Sequence, residues 1–190
     1  MNHFDPNPLW PAIGIVAAVV APVSVTVAAT YLTAEQAQKA MFPAADSFAA
    51  IDLTLTADQK RAIADAAGPQ APHGELRAWA ARRGDAILGH VFVDNVVGRE
   101  DLITYAVGIG VDGKLLPVEI LDYRESHGGE IRDKRWLAQF AGRSDPSQLR
   151  MRADIKNIAG ATLSSEHVTA GVRRILVLWT TALRPATGGN

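Results

Sequence analysis

The chain has 190 residues, 19 of them basic and 20 acidic, and no cysteine. That length supports one cored domain with an appendage, and the even charge balance argues against a general nucleic-acid binder, which carries a basic excess. Without cysteine, disulfides, thiolate metal sites, iron–sulfur clusters and Cys-attached haem are excluded, so redox chemistry would need an organic cofactor or a non-cysteine metal site.

From Ala12 to Ala29 no residue is charged. As a helix this run would be about 27 Å long at ~1.5 Å per residue, close to the thickness of a bilayer's hydrocarbon core. The first Lys or Arg of the chain is Lys39, so the positive lead of a signal peptide is missing. We read residues 12–29 as a single-pass membrane anchor within an N-terminal segment 1–30, with a cleaved signal as the alternative. Residues 31–75 read as a helical linker region. Thr33 caps one helix there, with Gln36 in the capping-box position, and Phe42-Pro43 stops it. Thr56 and Gln59 repeat the signal for a second helix, which runs to about Ala67.

Residues 76–190 form the main domain. Leu76–Ala81, Ile87–Val97, Leu102–Ile109 and Leu115–Leu121 read as strands separated by short polar turns, which predicts an antiparallel meander. The expected fold class is α+β: a twisted antiparallel sheet flanked by helices, preceded by an N-terminal transmembrane helix. Gly108-Ile109-Gly110-Val111-Asp112-Gly113 matches the dinucleotide fingerprint by letter. No helix pattern follows it, so the phosphate-binding context is missing and the stretch reads as a hairpin turn.

After the meander, Glu125-Ser126-His127-Gly128-Gly129 forms a loop whose glycines let backbone approach a planar ligand. Ser126 and His127 are sequence neighbours, which is no sign of a nucleophile and its base. His3, His73, His90, His127 and His167 show no metal-ligand spacing. Arg132–Gly142 predicts a short helix with Trp136, Leu137 and Phe140 on its apolar side, and Arg150–Lys156 a basic strand or loop. The last helix is expected from about Ser165 to Leu183. Val168, Val172, Ile175, Leu176 and Trp179 would face the core, with Arg173 and Arg174 solvated.

That helix is introduced by Gly160-Ala161-Thr162-Leu163-Ser164-Ser165. Ser164 or Ser165 can cap its first turn and Glu166 would lie near the positive end of its dipole. Uncommitted N–H groups at such a start can seat a phosphate, although an ordinary helix cap has the same appearance.

Taken in this order, the pieces resemble the small FMN-binding domain of the C subunit of sodium-translocating NADH:quinone reductase and the G subunit of the Rnf electron-transport complex. The resemblance spans roughly Leu88 to Leu183. It rests on the strands Gly89–Asp94 and Ile103–Val107, the loop Glu125–Gly129, the helix Trp136–Gly142 and the stretch Gly160–Ser165. That last stretch is similar to the family's flavinylation signature, Ser/Thr-Gly-Ala-Thr-x-Ser/Thr-Ser.

The resemblance implies a membrane-anchored, exported flavoprotein that relays electrons in a respiratory or redox chain, without substrate chemistry of its own. FMN would be joined to Thr162 by a phosphoester, made by a flavin transferase that uses FAD. Gly160, Ala161, Leu163, Ser164 and Ser165 would surround the phosphate, and Glu125, Ser126, His127, Gly128 and Gly129 would lie near the ring. A protonated His127 would there favour the reduced anionic flavin. The implied partners are membrane redox proteins and the bilayer, with the FMN domain on the periplasmic or extracellular side. No catalytic residue, metal or nucleic acid is implied. The chain departs from the family's pattern at Ala159, usually Ser or Thr, at Lys156, usually acidic, and at His127, usually Pro. Those departures leave open non-covalent FMN, or a cofactor-free structural subunit. A small-molecule reductase is a further alternative.

Overall fold

A computed structural model describes residues 29–67, 75–125 and 127–184. The apolar run expected to be an anchor lies outside the described residues except for Ala29, as does Ser126. Among the described residues no helix is long and apolar enough to cross a membrane.

Among the described residues six strands form one antiparallel sheet in the order β1-β6-β5-β4-β3-β2. Five are consecutive in the chain: β2 (Ser47–Ile51), β3 (Arg77–Arg83), β4 (Ala86–Val97), β5 (Leu102–Gly110) and β6 (Glu119–Tyr123). β3 to β6 make the expected meander, and β2 lies in the region expected to be helical. β1 (Ala29–Thr30) adds a short edge beside β6, with Ala29 opposite Tyr123.

Side chains alternate across a strand, and β4 is buried on both sides. Val91 and Val93 face the clusters built on α1 (Ala34–Met41) and on Phe42. Phe92 and Val96 face the larger core with Ile103, Tyr105, Val107 and Ile109 of β5. The same core receives Val168, Val172, Ile175 and Leu176 of α4 (Thr162–Leu178). The sheet is therefore the middle layer, with α1 on one face and α4 on the other, and α2 (Ala57–Ala67) packs against α4.

Both N-terminal capping boxes form as the sequence predicts. Thr33 and Gln36 exchange side chain-to-backbone bonds of 2.8 and 3.2 Å, and Thr56 and Gln59 do the same.

Other expectations are corrected. The strand expected at Leu115–Leu121 begins only at Glu119. Leu115 is held instead by the turn at residues 142–143: its N–H donates to Arg143 O and its carbonyl accepts from Gly142 N, both at 2.8 Å. Two residues on, Pro117 has no N–H to offer a ladder. The helix expected over Arg132–Gly142 is only α3 (Lys134–Leu137), preceded by a 3-10 turn at Gly129–Arg132. Its apolar residues Trp136, Leu137 and Phe140 are buried as expected. Residues 150–156 form a loop tied by the Arg150–Asp154 pair at 2.8 Å. The fingerprint-like glycines end β5 and close a turn, with Gly113 N–H donating to Gly110 O at 2.9 Å. No helix follows them.

Candidate functional site

Three segments meet at one end of the sheet: the β4–β5 turn, the loop after β6, and the start of α4. Between them is a cavity of about 300 Å³, lined by Arg99, Glu100, Glu125, His127 and residues 160–164.

The start of α4 is built differently from the expectation. Ile158 O accepts from Ala161 N at 3.1 Å, with Gly160 at φ +86° in the tight turn. Ala161 O then accepts from Ser165 N at 2.9 Å, which makes Thr162 the first helical residue. Ser164 and Ser165 therefore lie inside the first turns and cannot act as the N-cap. The N-cap is Ala161, which has no side-chain acceptor to offer. Glu166 is displaced from the first turn as well and pairs with Arg152 at 2.9 Å. The N-cap thus supplies no capping side chain, and residues 160–164 line the cavity; N–H groups left open at a helix start attract an anion.

Thr162 is half-buried and its Oγ1 accepts from Asn157 Nδ2 at 3.2 Å. Ser165 Oγ is 2.7 Å from Asn157 Oδ1 and 2.9 Å from Thr162 O. Ser164 is buried and its hydroxyl contacts that of Tyr123. Leu163 is exposed.

The Glu125–Gly129 loop reaches this helix start directly. Gly128 sits at φ +82° and ψ +23°, the left-handed region that glycine tolerates best. A Cβ there would lie 2.8 Å from Tyr123 Oη and 3.1 Å from Ala161 Cβ, so Gly128 fits closely between the loop's anchor and the α4 N-cap. Tyr123 Oη donates to His127 O, and burial raises the phenol's pKa above its ordinary value. Gly129 supplies a carbonyl to Arg132 Nε at 3.1 Å. Arg132 in turn stacks 4.3 Å from the Tyr31 ring centroid.

Glu125 faces the other way. Its Oε1 accepts the N–H groups of Arg99, Glu100 at 2.8 Å and Asp101 at 3.1 Å. One carboxylate therefore holds the whole β4–β5 turn, and His167 on α4 contacts Val97 O at the base of that turn. The site residues brought together are Glu125 and His127 with Gly160, Ala161, Thr162, Leu163 and Ser164. Gly128 borders them through Ala161, while Ser165 backs the helix start from within.

Arg99, Glu100 and Asn157 were not foreseen as part of the site. Arg99 and Glu100 look like ordinary turn residues in sequence. Asn157 precedes the small-residue stretch with no pattern of its own.

The class these features define is a small α+β domain with a helix start set against a glycine loop around one cavity. Residues 98–177 match the family described as FMN-binding domain, which is the family the motifs resemble. The chain is also similar to the G subunits of the ion-translocating oxidoreductase complex from two strains of Cereibacter sphaeroides. One is 28% identical over 130 residues, covering 63% of this chain and 57% of the relative. The other is 28% identical over 120 residues, covering 57% and 55%. The chain thus spans little more than half the length of these curated relatives.

Proposed function

We propose that this protein is a flavoprotein subunit of a membrane electron-transport complex, with FMN joined through its phosphate to Thr162. The observation that carries this reading is the start of α4, whose N-cap Ala161 has no side-chain acceptor and whose residues 160–164 line one cavity with Glu125 and His127 of the loop after β6. Phosphate would be received by the first-turn N–H groups, with the Arg99 side chain as a cation in the same cavity. At about 300 Å³ the cavity is at the lower end of the range for ligand sites. The left-handed Gly128 leaves backbone, rather than a side chain, beside Ala161.

Bound flavin supplies one- and two-electron transfer. The protein's own part is to hold the phosphate and present the loop at His127–Gly129 to the ring. The similarity to the G subunits of an ion-translocating oxidoreductase complex supports membrane redox proteins as partners. The uncharged run at residues 12–29 supports anchoring in the bilayer. We place the domain outside the cytoplasm and assign its maturation to a flavin transferase.

Intact mass of the protein, produced with and without an FAD-dependent flavin transferase, tests this. A gain equal to FMN minus water, abolished by Thr162→Ala, is expected. A second reading, a cofactor-free structural subunit, is favoured by Ala159 and Lys156, which stand exposed where the family usually has Ser or Thr and an acidic residue. It predicts no mass gain and no flavin released on denaturation.

A further inference from the structure

We propose that Asn157 is the positioning residue for the Thr162 hydroxyl, fixing Oγ1 for its attachment to the flavin phosphate; this rests on the reading of Thr162 given above. The Asn157 amide is used at both ends. Nδ2 donates to Thr162 Oγ1 at 3.2 Å, and Oδ1 accepts from Ser165 Oγ at 2.7 Å. A threonine in a helix divides its time between rotamers. Here the amide selects one, and Ser165, one turn further on, holds the amide.

Asn157 is exposed, yet its backbone is fixed from the residue before it. Lys156 N–H donates to Gln139 Oε1 at 2.9 Å, and Lys156 O accepts from Trp136 Nε1 at 2.7 Å. Gln139 is tied back to Trp136 O at 3.2 Å. The Trp136–Gln139 segment thereby grips both sides of Lys156 and sets the reach of the next side chain. This gives a function to two residues whose polar atoms the cavity itself does not use.

The amide donates to the hydroxyl oxygen and has no capacity to take up a proton, so Asn157 orients and does not act as a base. In the attachment step, a bond forms between Thr162 Oγ1 and the phosphorus of the FMN half of FAD. The bond from that phosphorus to the bridging oxygen breaks, and AMP leaves with the oxygen. The hydroxyl proton passes to a base of the transferase or to water, and nothing is oxidised or reduced. Misplacing the attacking oxygen slows such a step without weakening binding of the phosphate to backbone N–H groups.

The test uses the full chain with saturating FAD and flavin transferase, followed by intact mass over time. Affinity for free FMN is measured separately by fluorescence, and folding by thermal melting. Asn157→Ala is expected to slow adduct formation about tenfold or more, with FMN affinity within about twofold and the melting point unchanged. Ser165→Ala should slow it in the same direction and add little in the double variant, since both act through one amide. An Asn157→Ala chain that loads as fast as wild type overturns the inference alone, as does one whose rate and FMN affinity fall together. A wild-type chain that never gains the mass overturns the Thr162 reading, and this inference with it.

Discussion

Arg174 of α4 donates through Nη2 to Asp94 Oδ2 of β4, in the dry layer between helix and sheet. Arg174 is 4% exposed and Asp94 0%. The Tyr105 hydroxyl donates to the same carboxylate oxygen at 2.7 Å. Burial first, and then the charge of Asp94, raise that phenol's pKa well above its ordinary value, so it remains a donor. A charged arginine expected on the solvated side of α4 is instead the helix's polar tie to the sheet. The reason is rotational: Arg174 lies on the same side of α4 as Gly171 and Leu178, one turn before and after it and both buried, and only a carboxylate opposite makes that burial tolerable.

Removing the arginine alone should therefore be severe. Arg174→Met strands the Asp94 charge and is expected to destabilise the fold by about 3–5 kcal/mol, read from urea denaturation. Adding Asp94→Asn should recover part of that loss. If the single variant unfolds at the wild-type urea concentration, the ion pair contributes nothing.

A second polar contact in the same layer makes stability depend on pH. Trp179 Nε1 donates to His90 Nδ1 at 3.0 Å, so that nitrogen must be unprotonated. Burial lowers the pKa of His90 from its ordinary 6.5. The unfolded chain therefore binds the proton more readily, and stability must rise with pH across the window between the two values. The contribution is fully present above about pH 6.5 and is lost as pH falls from there through the folded-state pKa. Urea midpoints between pH 8 and pH 5 should decline over that window. The decline should shrink in His90→Asn, which accepts from Trp179 without titrating.

Glu125 and Gly98 act as one device at the cavity rim. The carboxylate holds three successive N–H groups of the turn, and a Cβ on Gly98 would collide with its Oε1. Glu125→Ala and Gly98→Ala should each cost about 1–3 kcal/mol and weaken FMN binding, measured by fluorescence titration. Because each breaks the same contact, the double variant should be little worse than the poorer single one. Additive losses would show that the two residues work separately.

These cases separate what was legible in the sequence from what was not. The capping boxes at Thr33 and Thr56, the meander and the inward stripe Val168–Trp179 rest on local chemistry or short periodicity, and all were readable. Thr162 and the Glu125–Gly129 loop were singled out only through a motif resemblance, since nothing local says that Gly128 will lie beside Ala161. β2 was missed because Ser47–Ile51 is an edge strand with mostly exposed residues and no clean alternation. Arg174 was misplaced because charge is a guide to burial only until a buried partner exists, and Asp94 lies 80 residues away in the chain. Asn157 was invisible for a similar reason: its place beside Thr162 depends on the Trp136–Gln139 grip on Lys156.

The contact between Gly128 and Ala161 yields the most direct test of how the site is assembled. At φ +82° an L side chain costs about 1–2 kcal/mol. The added methyl of Gly128→Ala would also press on Tyr123 Oη and on Ala161. Tyr123 can yield only by loosening its bond to His127 O, so the loop should swing away from the α4 start. FMN affinity should then fall while the helix N–H groups stay intact. Tyr123→Phe alone removes the same bond and should lower FMN affinity in the same direction, as followed by fluorescence titration. If Gly128→Ala binds FMN as tightly as wild type, the loop and the helix start do not need to touch for the site to work.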